Sequence, residues 1–169
     1  MRSFLALLAF SWLGAHCQFQ AQVQLHSEIT AVGVEGVTHR LYAVVPAGGL
    51  VQSMYAEAEA PFSLDAPLGI VQSDGQAVLT LEGEAGAMDS WWTIGMPQGI
   101  TELQETGGAN WNASMDAFAA GGSYTCDDEF GGAFFLFPSS AQGLATDTLV
   151  LLGQFISTGP ITVGLNLQW

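Results

Sequence analysis

The chain has 169 residues, 49% of them hydrophobic, and a formal net charge of −14 at pH 7. Its 16 acidic residues are opposed by two basic ones, Arg2 and Arg40, so the surface repels phosphates and disfavours nucleic acids and anionic membranes as partners. The 21 glycines, together with short apolar runs, predict many short strands and tight turns rather than a helical bundle.

The first residues have the features of a secretory signal peptide. Arg2 supplies a positive start, and residues 4–13 form an apolar stretch shorter than the ~20 residues that a membrane span needs. Ala15 and Cys17 are small residues at the positions required for cleavage after Cys17, and cleavage after Ala21 is a weaker option. We therefore expect a secreted protein with a signal peptide at 1–17, a single domain at 18–169 and no membrane insertion of the mature chain.

Alternating apolar and polar residues predict the first strands. Residues 23–29 alternate as a half-buried strand does, and residues 40–45 form a second strand that Pro46 ends. Residues 50–57 are a third candidate. Further along, Asp74-Gly75 separates two apolar runs, which predicts a hairpin because a type I′ turn needs positive φ at both central positions.

The second half continues the strand pattern. Residues 90–96 are aromatic and β-branched, and adjacent Trp91 and Trp92 in a strand must point to opposite faces, one into the core and the other exposed or at an interface. Residues 149–156 form a near-continuous apolar run, which is typical of a central strand. The chain then ends on a strand with apolar side chains along one face: Ile161, Val163, Leu165, Leu167 and Trp169.

One segment departs from this pattern. Trp111, Met115 and Phe118 are spaced i, i+4, i+7, which fits a short helix, although the same stretch also tolerates a strand. The remaining elements predict an all-β fold with helix below about a fifth of the residues, against ~30–35% in typical globular domains. An antiparallel β-sandwich or jelly roll is expected, with a closed β-barrel as the alternative.

Carboxylates supply the candidate metal ligands. Asp127, Asp128 and Glu129 are consecutive and precede two glycines, and Asp147 lies in the next polar loop. Such residues form either a solvated turn or a calcium site, because calcium takes several oxygen ligands from loops. The spacing is not that of an EF-hand, and calcium is the only cofactor that the sequence suggests.

Aromatic residues and a sequon supply the other candidate sites. Trp92, Trp111 and Tyr124 would form a stacking platform for sugars if exposed, or part of the core if buried. Asn112 opens an Asn-Ala-Ser sequon, which matters for glycosylation only in a eukaryotic host. Cys126 is the only thiol left after cleavage at Cys17, and it would be buried or paired between chains; cleavage before Cys17 would instead allow a Cys17–Cys126 disulfide.

Several segments resemble a β-rich extracellular domain of large secreted proteins of marine microbes. They are HRLYAVVP at 39–46, DSWWTIG at 89–95, GGSY at 121–124, FGGAFFLFP at 130–138 and LATDTLVLLGQFISTGPITVGLNLQW at 144–169. The resemblance covers roughly residues 40–169. It implies secretion, a β-rich fold and no recognised active site. This chain carries a single copy of the pattern.

These observations favour a secreted, non-catalytic module for cell-surface, matrix or adhesive assembly. The motifs of phosphate-binding loops, dinucleotide sites, serine hydrolases and zinc proteases do not occur in the sequence. The expected partner is an extracellular protein or polysaccharide, and self-association is a further expectation. Two alternatives stay open: a carbohydrate-binding module that uses exposed tryptophan, and a small secreted hydrolase that uses carboxylates.

Overall fold

The computed structural model of the protein describes residues 24–73, 75–78, 87–96, 100–127 and 131–169. Strand accounts for 43% of it and helix for 9%, which confirms the all-β prediction and the low helix content. In chain order the elements are β1 Gln24–Gly33, β2 Gly36–Val44, β3 Ser53–Tyr55, β4 Phe62–Asp65, β5 Trp91–Trp92, β6 Gln104–Thr106, α1 Ala109–Ala119, β7 Tyr124–Cys126, β8 Ala133–Phe135, β9 Leu149–Ser157, β10 Thr162–Gly164 and β11 Asn166–Gln168.

The strands form three antiparallel sheets. The largest has the order β1-β2-β9-β5, and β9 lies inside it and is buried along all but its first residue, as its apolar sequence predicts. The two smaller sheets, β10-β4-β7 and β11-β3-β8-β6, are connected because the C-terminal strand passes from one to the other at Leu165. None of these sheets closes into a barrel within the described residues, so the sandwich prediction is the correct one.

A cluster of aromatic rings fills the space between the sheets. Phe62 lies at its centre, with its ring 4.8 Å from Trp92 and 5.3 Å from Trp111, measured between ring centroids. Side chains from all three sheets and from α1 join the same core. The fold is therefore held mainly by burial of large apolar surface, at roughly 25 cal/mol per Å².

The helix α1 confirms the helical alternative for its segment. Trp111, Met115 and Phe118 lie on its buried face, as the i, i+4, i+7 spacing predicts. Gly107 and Gly132 flank the Trp111 ring so closely that a Cβ at either position would overlap the indole. These glycines are thus explained by the close approach of the backbone to a large ring.

Polar side chains join the segment before β5 to β9 and to Ser73. The Gln154 side chain is 1% exposed and donates from Nε2 to the carbonyl oxygens of Ala87 and Asp89, while its Oε1 accepts a hydrogen bond from Arg40 Nε at 3.2 Å. The buried Asp89 carboxylate accepts hydrogen bonds from the backbone N–H and the hydroxyl of Ser73, both at 3.0 Å. Buried polar groups with such partners stabilise the fold, whereas unpaired ones would destabilise it.

The first strand differs from its prediction. β1 forms where expected and pairs with β2, but every one of its residues is exposed rather than half-buried. The reason is its position: β1 is an edge strand that extends past the core, so no second layer among the described residues covers its apolar side chains.

Other predicted strands are shorter than expected. Only residues Ser53–Tyr55 of the run at 50–57 and Trp91–Trp92 of the run at 90–96 form strands. Gly95, with φ of 71°, bends the chain soon after β5. Asp74 of the predicted hairpin, and Asp128 and Glu129 of the acidic turn, lie outside the described residues. In the described part of the chain, no helix is long and apolar enough to cross a membrane.

Candidate functional site

The aromatic residues proposed for sugar stacking belong to the core. Trp92 and Trp111 are 0% exposed and Tyr124 is 7% exposed, and all three pack around Phe62. The Trp111 indole N–H donates to Glu105 Oε1 at 2.6 Å. The prediction of a stacking platform from these residues is therefore wrong. Burial of their large aromatic surface stabilises the fold and leaves no exposed ring face for a sugar.

The paired tryptophans do point to opposite faces, as predicted. Trp92 lies in the main core, and Trp91 packs with Leu151 and Tyr42 on the other face of the large sheet. Of the two expectations for the second tryptophan, exposure is wrong, since Trp91 is only 5% exposed, whereas a position at an interface stays a prediction.

Two buried polar atoms in the core have no hydrogen-bond partner: the Trp92 Nε1 and the Tyr124 hydroxyl. Burial raises the pKa of Tyr124 well above its usual value, and the nearby Trp92 N–H opposes this only in part without forming a well-aligned hydrogen bond. Cys126, also 0% exposed, is a free thiol in the same region. These groups are enclosed, so they offer no surface for a ligand.

Replacing Tyr124 by phenylalanine should leave the free energy of unfolding unchanged or raise it by up to about 1 kcal/mol, since it removes an unpaired buried hydroxyl. The folded-state pKa is raised, so the wild type is fully stable below the unfolded pKa of ~10 and loses stability as the pH rises above it. The Tyr124→Phe variant should lose less stability than the wild type at this alkaline pH. Denaturant melts at neutral and alkaline pH measure both effects, and a clear loss at neutral pH would show that the hydroxyl is paired.

The predicted metal ligands are only partly placed. Asp127 directly follows β7, is exposed, and accepts a hydrogen bond from Asn110 Nδ2 at 3.1 Å. Asp147 lies in the turn before β9, whereas Asp128 and Glu129 lie outside the described residues. The described ranges contain no group of three His, Cys, Asp or Glu side chains arranged to hold a metal ion. Calcium binding stays a prediction.

The sequon lies within α1. Asn112 is exposed there, and Ser114 is buried at 4% exposure against the core. Glycosylation of Asn112 stays a prediction.

A surface cleft of about 620 Å³ lies on the face of the large sheet that is turned away from the aromatic core. Tyr42 and Leu151 line it, and both belong to the face of the large sheet that is turned away from the main core. Its other lining comes from β1, from the loop after β5 and from the loop before β9. We call this feature the acidic cleft, and its lining includes Glu28, Tyr42, Met96, Ile100, Glu102, Gln142, Leu144, Asp147 and Leu151.

Gln142 joins the two loops of the acidic cleft. Its Nε2 donates to the Ile94 carbonyl at 2.9 Å, and its Oε1 accepts from the Glu102 backbone N–H at 2.8 Å. Gly95 lies against the Gln142 carbonyl so closely that no Cβ fits between them. The walls are therefore held by defined contacts, which the sequence alone did not reveal because the two loops are far apart along the chain.

The rim of the cleft is acidic and its walls are partly apolar. Glu28, Glu102 and Asp147 are exposed and come from three separate elements. Met96, Ile100 and Leu144 are exposed at 54%, 94% and 48%, although they are large apolar side chains. The cleft therefore combines exposed apolar side chains with charges of one sign.

The turn that carries Asp147 has an unusual backbone. Thr146 and Leu149 exchange two backbone hydrogen bonds, so Asp147 and Thr148 are the central residues of a tight two-residue turn. Their φ angles are 50° and 71°, as a type I′ turn requires, but such turns favour Asn-Gly, and a β-branched residue at positive φ is strained. Strained residues cluster at functional sites, and Asp147 of this turn lines the cleft.

Replacing Thr148 by glycine should raise the free energy of unfolding by about 0.5–1 kcal/mol. Relief of the left-handed backbone contributes ~1–2 kcal/mol, and the greater freedom of glycine in the unfolded chain offsets part of it. Thr162→Gly, at an exposed strand position without positive φ, is the matched control and should be destabilising. Denaturant melts of both variants measure the change in the free energy of unfolding. Destabilisation of equal size in the two would show that the turn is not strained.

Comparison of this chain with protein-family models, with curated proteins and with solved structures finds no match.

Proposed function

We propose that the chain is a secreted, non-catalytic binding module, for cell-surface, matrix or adhesive assembly, that holds a basic partner at the acidic cleft. The observation that carries this proposal is the convergence of three exposed carboxylates, Glu28, Glu102 and Asp147, on one cleft with exposed apolar walls. The signal-peptide features of the first 17 residues support export.

The overall charge supports a basic partner. The chain carries −14 at pH 7, and Arg40 is the only lysine or arginine among the described residues. Arg40 lies opposite Glu28 across β1 and β2, but its Nε donates to Gln154. A field of one sign raises the local concentration of oppositely charged ligands and speeds their association, while apolar walls supply the contact area.

The cleft suits binding better than covalent chemistry. Its lining contains no cysteine or histidine, and its ionisable side chains are the three carboxylates and Tyr42. The general acid of a glycosidase is kept protonated in an apolar pocket, whereas these three carboxylates are exposed. Nevertheless, carboxylates from separate elements at one cleft favour the hydrolase alternative over other enzymes. Release of reducing ends from polysaccharides, lost on neutralising these residues, would support that alternative.

The test is direct binding of a basic peptide. Fluorescence anisotropy of a labelled lysine-rich peptide should show saturable binding that weakens as salt increases. The triple variant Glu28→Gln, Glu102→Gln, Asp147→Asn should weaken binding by tenfold or more, on the scale of about 0.5 kcal/mol for each charge.

A matched control separates the cleft from the overall charge. The triple variant Glu57→Gln, Asp65→Asn, Asp116→Asn changes the net charge equally at exposed positions that do not line the cleft, and it should bind almost as the wild type does. Equal weakening in the two triple variants would show that only the general charge attracts the peptide, and the proposal would fail.

A further inference from the structure

The edge strand β1 adjoins the acidic cleft and has one free side. The large sheet has the order β1-β2-β9-β5, and within the described ranges β1 pairs with β2 alone. Among the described residues, the backbone N–H and C=O groups along its other edge have no partner strand. Such an edge is a template on which an extended peptide can add as a further strand.

The two faces of β1 differ in chemistry. Leu25 pairs with the core residue Ala43, so it lies on the core side of the sheet, yet it is 43% exposed. Ile29 and Val32 lie on the same side and are 61% and 78% exposed. On the other side Glu28 lines the acidic cleft, and His26 lies near Tyr42 with ring centroids 6.2 Å apart.

We infer that β1 receives an extended segment of a partner protein in which apolar and basic residues alternate. Successive side chains of a strand point to opposite faces, so one set would cover Leu25 and Ile29 while the other set would face Glu28 and the cleft. This inference rests on the proposed function and specifies the partner class of the same site.

The features of the chain favour a different protein over a second copy. Two copies would bring together like net charges of −14, and Arg40, whose Nε donates to Gln154, is the only lysine or arginine that the described residues offer to balance them. The pairing of β1 with β2 is irregular between Ile29 and Ala31, and this bulge limits the length over which any added strand can pair. The stretch of β1 along which a partner strand could pair without interruption is thus Gln24 to Ile29.

The experiment compares three synthetic peptides by anisotropy. One alternates valine and lysine, one has the same residues with the lysines contiguous, and one is the alternating peptide with N-methyl groups along one edge. The alternating peptide should bind about tenfold more tightly than either of the others, since N-methylation removes backbone hydrogen bonds worth roughly 0.5–1.5 kcal/mol each.

Variants of the protein place the contact on β1. Ile29→Lys changes an exposed residue on the side of β1 away from the cleft. It should lower the affinity for the alternating peptide about tenfold. Leu68→Lys, at another exposed apolar residue outside β1, should leave the affinity unchanged. Circular dichroism of both variants confirms that they fold.

The outcomes are distinguishable. Equal, salt-sensitive binding of all three peptides would retain the acidic cleft but overturn strand addition. Absence of binding by every peptide would overturn both proposals. Sedimentation that shows a wild-type dimer, lost in Ile29→Lys, would assign the edge to a second copy and overturn the inference.

Discussion

Replacing Phe62 by alanine should lower the free energy of unfolding by about 3–5 kcal/mol, a large share of the 5–15 kcal/mol typical of a domain. Phe62 is 0% exposed, and its ring lies 4.8 Å from Trp92, 5.3 Å from Trp111 and 5.8 Å from Tyr124 between centroids. The cavity would open where β4 meets α1 and β5, and the rigid rings around it cannot easily close it.

Chemical denaturation measures this effect. Phe137→Ala is the matched control, because Phe137 is 57% exposed, and it should cost less than about 1 kcal/mol. Phe62→Leu should lie between the two, since it keeps most of the buried volume. Similar midpoints for Phe62→Ala and Phe137→Ala would mean that the aromatic cluster is not the centre of the core.

The second large effect is expected for Gly95→Ala, at about 2–4 kcal/mol. Gly95 has φ of 71°, where an L side chain costs ~1–2 kcal/mol. In addition, its Cβ would overlap the backbone carbonyl of Gln142, and forcing extra atoms into packed structure costs ~1–3 kcal/mol. Because Gly95 N–H also donates to Leu151 O at 2.7 Å, the backbone has little room to move away.

Gly48→Ala separates these two causes. Gly48 has φ of 77°, but a Cβ there would meet nothing within 4 Å, so only the backbone cost applies. Thermal or denaturant melts should therefore rank Gly95→Ala well below Gly48→Ala in stability. If both variants lose the same amount, the contact between Gly95 and the loop before β9 is looser than described, and the cleft wall is not fixed by it.

Much of the fold follows from local patterns. The apolar run at 149–156 predicts the buried strand β9, and the i, i+4, i+7 spacing of Trp111 predicts α1. Local patterns also explain the error on β1: alternation shows which residues share a face, but only the topology shows that this strand lies at an edge beyond the core. The short strands at 53–55 and 91–92 are likewise set by tertiary pairing.

The site was much less predictable. Glu28, Glu102 and Asp147 are far apart along the chain, and only the pairing of β1, β2 and β9 with the loops held by Gln142 brings them to one cleft. The sequence groups Asp147 with Asp127 as calcium ligands, whereas the structure places Asp147 at the cleft, because spacing along the chain carries no information on cleft geometry. Conversely, Trp92 and Trp111 were candidate ligands by residue type, although their size makes them equally suited to a core.

A nuclear magnetic resonance titration with the alternating valine–lysine peptide tests the central claim most directly. The account predicts that amide shifts change mainly along Gln24 to Ile29 and at cleft residues such as Glu102 and Asp147, with saturation at a common affinity. Changes spread evenly over the acidic surface, or confined to residues away from β1 and the cleft, would contradict it.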